Sequence, residues 1–375
     1  MKTLAKKTLQ GGVSGKCGSQ IIIAHGLLGN STNWMSVGRR LAAHDGVRGR
    51  LEEIHMLDMR NHGESPHFNA HTNATMASDI EHFVLQQQRQ WQSRAGAEGD
   101  GGIVLIGHSM GGFAVMGSML RRANETSLLL QSGVEELEQR CKRGDYYGWC
   151  DEQGNAAEMR AVNRAMGLPE TQPLYDILYD CKGDNVARPP RVKAVVIVDI
   201  TPSTALGTHR QHGQSSSETL DAMVAADLSR VHSFGDGNAE LERVGVSNKA
   251  MRDFLLTNLR LDPRTKEATW RCNLPVLRAD YNSIALGVSG WFLSASEKVS
   301  RDRGGELVAP LRCSLPTLFV FGQNSPYNTP EDRRLIPRFF SNAIEVEVEG
   351  AGHFVHYEKM QEFVNVVVPF LTEYL

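Results

Sequence analysis

The sequence predicts an α/β chain: a mostly parallel central sheet flanked by helices, with a helical cap and an extra insertion. Three observations carry this. Short apolar runs alternate with helix-like stretches, the pattern of parallel strands joined by crossover helices. The runs end in Gly, Asp, Asn or His, at the strand C-termini where open α/β sheets place their ligands. One run leads directly into Gly107-His108-Ser109-Met110-Gly111, a serine between glycines at a strand-to-helix turn.

Taken in order, residues 1–20 form a short basic segment with Lys2, Lys6, Lys7 and Lys16, and no acidic residue precedes Asp45. It reads as a solvated basic tail, with a mitochondrial-type leader as the alternative; the apolar stretch of a secretory signal is missing. Strands are expected at 21–24, 54–58, 103–106, 192–198, 317–321 and 344–348, each short, apolar and partly β-branched. Residues 358–375 read as a closing helix that Pro369 shortens or kinks. The core therefore comprises 21–123, 191–202 and 314–375. Residues 124–190 form a polar insertion with helical pieces at 134–142 and 156–166. Residues 203–313 form a mainly helical cap over the strand ends, with one helix near 248–259.

Composition narrows the function class. The 375 residues hold 40 Lys and Arg against 43 Asp and Glu, a net charge of −3. That balance argues against nucleic acid as the main partner, because phosphate binding needs concentrated positive charge. No apolar stretch approaches the ~20 residues of a membrane span. Six scattered cysteines (Cys17, Cys141, Cys150, Cys181, Cys272, Cys313), without a Cys-x-x-Cys pair, read as reduced thiols of an intracellular protein, cytoplasmic or mitochondrial.

The chemistry concentrates on a few residues. In the turn around Ser109, side chains at Gly107 and Gly111 would collide with the backbone, and the strained turn lifts the serine above the sheet edge as a nucleophile. Met110 N–H, at the following helix N-terminus, is one oxyanion donor. His25-Gly26-Leu27-Leu28-Gly29 follows the first strand, and Leu27 N–H is the second. Glu349-Gly350-Ala351-Gly352-His353 follows the last strand and delivers His353 as the base. The strand before it ends Phe321-Gly322-Gln323-Asn324-Ser325, without a carboxylate, whereas Val198-Asp199-Ile200 ends the preceding strand with one. Asp199 is therefore the expected acid, with Asp332 or Ser325 the alternatives, and Ser325 is an expected hydrogen-bond partner of His353. His25, His62 and His108 read as structural hydrogen-bonding groups, His356 as packing, and Trp34 as a wall or core residue.

These residues together resemble the α/β-hydrolase superfamily, and more closely the esterase group of the alpha/beta-hydrolase domain-containing protein eleven type and its bacterial short-chain acyl esterase relatives. The likeness rests on 25–29, Asp58-Met59-Arg60-Asn61-His62-Gly63-Glu64-Ser65-Pro66, 107–112, 198–202, Phe254-Leu255-Leu256-Thr257-Asn258-Leu259 and 322–326. It covers about 21–123 and 192–375. The resemblance implies an α/β-hydrolase fold, an Asp in the Val-Asp-Ile motif as the acid, and a Ser at the later strand end. A cap acid near Trp-x-x-Asn-Leu is another assignment in the group, but Pro275 stands at that position here. The usual leading hairpin is not expected, since only about twenty residues precede the first core strand. Some animal members act in partner complexes, which leaves a protein partner at the cap or insertion open.

The expected function is a serine hydrolase for carboxylic esters of short to medium acyl chain, working through Ser109, His353 and Asp199 without metal or organic cofactor. Thioesterase or amidase chemistry, a haloperoxidase-like side activity and a non-catalytic binding role are the alternatives. Epoxide hydrolase and dehalogenase chemistry are disfavoured, since both require an Asp at position 109.

Overall fold

The computed structural model describes residues 3–13, 18–92, 101–121, 191–203, 215–289 and 312–375. The expected insertion 124–190 and its two helical pieces lie outside them, as does part of the expected cap.

Among the described residues, seven strands form one sheet in the order β1-β3-β2-β4-β5-β8-β9. They are β1 (Lys6–Gln10), β2 (Ser19–Ala24), β3 (Leu51–Leu57), β4 (Gly102–His108), β5 (Arg191–Val198), β8 (Thr317–Gly322) and β9 (Ala343–Val348). All neighbours run parallel except β1, which is antiparallel to β3. The six strands legible in the sequence are present, shifted by a few residues at their ends.

The apolar runs have a simple cause. In the central strands successive side chains point to opposite faces, and both faces are covered. Ile22, Leu105, Ile197 and Phe319 enter one core with Ile80 and Val84 of the helix Asn73–Gln92. Ile23, Val104, Val196 and Val320 enter the other, against Leu41 of the helix Met35–Ala43 and Phe363 and Val367 of the helix Met360–Tyr374. Each such buried side chain stabilises the sheet by about 1.5–3 kcal/mol. Pro369 lies inside the last helix without ending it, and the closing segment divides at Lys359.

The N-terminal expectation is corrected. Lys6–Gln10 is not a solvated tail but an edge strand, with Leu9 opposite Ile54. One leading strand is therefore present where no leading hairpin was expected. An edge strand has one neighbour and mostly exposed side chains, so it carries no apolar run, and its lysines discourage pairing with other chains. Lys6 also sits over the Phe83 ring at 5.1 Å.

Described residues 215–289 carry short helices and a hairpin of β6 (Leu259–Leu261) and β7 (Ala268–Trp270). They build their own apolar core from Leu220, Leu241, Leu255 and Leu277. Leu28, from the loop after β2, is buried in that core and ties it to the strand ends. Asn248 caps the helix Lys249–Leu256 by accepting from Met251 N–H at 2.9 Å. Cys272 and Cys313 are free thiols, and burial pushes Cys272 up to about 12.

Candidate active site

β4 ends at His108, and a helix occupies 110–121. Ser109 between them has φ +51°, a left-handed conformation that costs a non-glycine residue about 1–3 kcal/mol. The surroundings enforce it. Ser109 N–H donates to the Val198 carbonyl at 3.0 Å, and Phe113 N–H donates to the Ser109 carbonyl at 3.1 Å. A Cβ on Gly111 would lie 2.4 Å from the Ala24 carbonyl oxygen, and one on Gly107 would lie 2.5 Å from that of Gly111. Only glycine permits this approach. Ser109 is half-buried amid fully buried neighbours.

Asp199 follows β5, also at positive φ (+53°), and is fully buried. Its Oδ1 accepts from Gly322 N–H at 2.8 Å; its Oδ2 accepts from Ser325 Oγ and from His353 Nδ1 at 2.6 Å. Burial pushes the Asp199 carboxyl up to about 8, against the opposing pull of the Ser325 hydroxyl and the Gly322 amide. At 2.6 Å the carboxyl and the imidazole form a buried pair. The alternative acid, Asp332, is engaged elsewhere: it accepts from Ser203 Oγ and Thr329 Oγ1, both at 2.6 Å.

His353 is held from both sides of its backbone. His108 Nε2 donates to the His353 carbonyl at 3.0 Å. Glu358 accepts from the flanking amides of Gly352 at 2.7 Å and Phe354 at 3.2 Å. The Tyr327 ring covers the imidazole at 4.4 Å between centroids. Sequence reasoning missed Glu358, whose only signal was its place at the start of the closing helix.

The loop after β2 is gripped as firmly. His25 Nδ1–H donates to the Gly26 carbonyl at 2.8 Å while its Nε2 accepts from Met59 N–H at 3.0 Å, and burial lowers its pKa, so the ring is neutral. Leu28 N–H donates to His62 Nε2 at 3.1 Å, and the Leu28 carbonyl accepts from Asn258 Nδ2 at 2.6 Å. His62 is likewise neutral, held down to about 3 mainly by burial. Gly29 N–H is taken by the Gly26 carbonyl at 2.9 Å. These bonds hold the loop on both sides of Leu27. A Cβ on Gly26 would come within 2.8 Å of His108 and 3.2 Å of Ser109 Cβ, so this loop packs directly on the turn carrying Ser109 and Met110. Asn258 is a second residue the sequence did not single out as part of the site.

Ser109, His353 and Leu27 line one cavity of about 50 Å³. Trp34 is buried in the second core and stacks flat on His356, with ring centroids 4.0 Å apart. Among the described residues, no group of three or more His, Cys, Asp or Glu could hold a metal ion, and no helix is long and apolar enough to cross a membrane.

The chain is similar in sequence and fold to known proteins. A probable alcohol acetyltransferase of Saccharomyces cerevisiae is 35% identical over 127 residues, 34% of this chain and 33% of that protein. The sn-1-specific diacylglycerol lipase ABHD11 of Mus musculus is 26% identical over 354 residues, 94% of this chain and 80% of the lipase. Among solved structures, a marine microorganism esterase shares the fold with a TM-score of 0.62 at 21% identity, over 100% of both chains. The family model described as the alpha/beta hydrolase family matches residues 21–366, nearly the whole chain. With its elbow after β4 and its parallel sheet, this chain belongs to the alpha/beta hydrolase family.

Proposed function

We propose that the protein hydrolyses carboxylic esters of short to medium acyl chain through an acyl-enzyme on Ser109. The observation that carries the proposal is the 2.6 Å contact of His353 Nδ1 with the Asp199 carboxyl, made by a histidine whose ring lines the same cavity as Ser109. In this reading Asp199 fixes the tautomer with its proton on Nδ1, which leaves Nε2 to accept the Ser109 proton. Ser109 Oγ attacks the ester carbonyl, and Leu27 and Met110 N–H groups hold the oxyanion. His353 then protonates the leaving alcohol. Water, deprotonated by His353, attacks the acyl-enzyme and releases the acid.

The names of two relatives, a lipase and an acetyltransferase, both describe acyl chemistry and support this class. The test is turnover of p-nitrophenyl butyrate. Ser109→Ala abolishes it if the proposal holds; undiminished turnover overturns it. The acetyltransferase relative favours a second reading, in which an alcohol replaces water as the acyl acceptor. Ethyl ester formed from p-nitrophenyl acetate in dilute ethanol, in excess of free acetate, supports that reading, and acetate alone rejects it.

A further inference from the structure

The cavity lined by Ser109 and His353 is about 50 Å³. At about 10–15 Å³ per water on this measure, that admits a few water molecules but not both halves of an ester. Beside it lies a cleft of about 560 Å³, within the range of about 300–1,000 Å³ common for small-molecule sites. Neither Ser109 nor His353 lines the larger cleft. The two spaces nevertheless share Gly26, His108, Met251, Phe254 and Phe354 as walls. Phe254 comes from the cap helix Lys249–Leu256 and Phe354 from the residue after His353; their rings lie 4.8 Å apart and form an aromatic partition.

The walls of the cleft state what it accepts. Trp34, Met360 and the Phe pair give it an apolar floor, and the Tyr357 ring stands 73% exposed at its side. Its charged lining residues are Asp253, ion-paired with Lys249 at 2.6 Å, and Glu358; no Lys or Arg is among the described residues that line it. A carboxylate or phosphate at the end of a chain meets no cation in this lining, since the nearby Lys249 is paired with Asp253, whereas an uncharged chain gains burial at about 25 cal/mol per Å² of apolar surface.

We infer that this cleft receives the uncharged apolar chain of an ester whose carbonyl sits at Ser109, and that the Phe254–Phe354 pair sets how readily a chain passes into it. The inference rests on the ester-hydrolase reading and adds the class of substrate: esters with a medium-length, neutral chain on the acyl or the alcohol side. Ala250 is exposed on the cleft's outer wall, so Ala250→Trp fills the space without disturbing a core.

The experiment measures two specificity ratios on the full chain. One is kcat/KM for p-nitrophenyl octanoate over p-nitrophenyl acetate; the other is that for octyl acetate over ethyl acetate. Ala250→Trp lowers one of them at least tenfold, and the ratio that falls tells whether the acyl or the alcohol chain lies in the cleft. Phe254→Ala raises the same ratio severalfold. Both ratios staying at wild-type values in Ala250→Trp overturns the inference. A binding measurement keeps the test independent of catalysis: octan-1-ol, followed by calorimetry, binds wild type at least tenfold tighter than Ala250→Trp, and tighter than octanoate does. Equal octan-1-ol affinity for the two proteins rejects the cleft even if ester turnover is present, and absent acetate turnover rejects the hydrolase reading without touching the binding result.

Discussion

Asn258 Nδ2 donates to the Leu28 carbonyl at 2.6 Å, and through this bond the cap grips the loop that carries Leu27. The Leu28 amide is held by His62 and its side chain is buried in the cap core, so a non-glycine residue at φ +60° is fixed from three directions. Such over-determination is what sustains backbone strain at functional sites. It also ties the segment bearing Asn258 to the loop bearing Leu27.

If Leu27 N–H stabilises the oxyanion, loosening that grip costs transition-state binding more than substrate binding. Asn258→Ala therefore lowers kcat about 10²-fold, the size of effect seen on losing one oxyanion donor, with little change in KM. Steady-state kinetics on p-nitrophenyl butyrate check this. A raised KM at constant kcat would assign Asn258 to substrate binding instead.

Asp199→Asn keeps an acceptor for Gly322 N–H but turns an amide toward His353 Nδ1. The imidazole then carries its proton on Nε2, facing Ser109, and cannot act as the base. The expected loss in kcat is about 10⁴-fold, with the fold intact by circular dichroism. A near-normal rate excludes Asp199 as the acid.

The pH dependence has a definite sign. The Asp199 carboxyl is raised from 3.8 to about 8 by burial, so it takes up a proton as the pH falls through that upper value. The added proton removes the acceptor for Ser109, and kcat/KM rises with pH through one ionisation to an alkaline plateau. Stability runs the other way. The folded state binds the extra proton between 3.8 and about 8, so the stabilisation it gives is complete at the lower bound and lost as pH rises through the upper. Thermal melts across this window should show wild type losing ground to Asp199→Asn as pH increases; parallel curves contradict it.

The elbow glycines make a packing prediction. A methyl on Gly111 would lie 2.4 Å from the Ala24 carbonyl oxygen, a backbone atom of the central strand β2 that cannot swing aside. Gly111→Ala should destabilise the fold by about 1–3 kcal/mol or more, read as a lowered midpoint in urea. An unchanged midpoint contradicts the close approach.

The parts legible in the sequence were those whose signal is local. Apolar runs marked the buried strands because both faces of β2, β4 and β5 are covered, and strand-end reasoning reached Asp199, which the structure sets against His353, and Ser325, expected on His353, whose hydroxyl donates to Asp199. β1 was illegible because an edge strand of exposed lysines has no apolar pattern. Asn258 stood in a stretch that carried the resemblance, but its role and that of Glu358 were illegible for a different reason. Asn258 acts on a carbonyl 230 positions away, and Glu358 acts through backbone amides. No periodicity or motif encodes either contact.

The central claim is that Ser109 is the residue that carries the acyl group. Incubation with a fluorophosphonate, followed by intact-mass and peptide mapping, tests it most directly. A single adduct is expected on the peptide containing Ser109, absent in Ser109→Ala and strongly slowed in His353→Ala. An unlabelled wild-type protein, or an adduct on another residue, contradicts it.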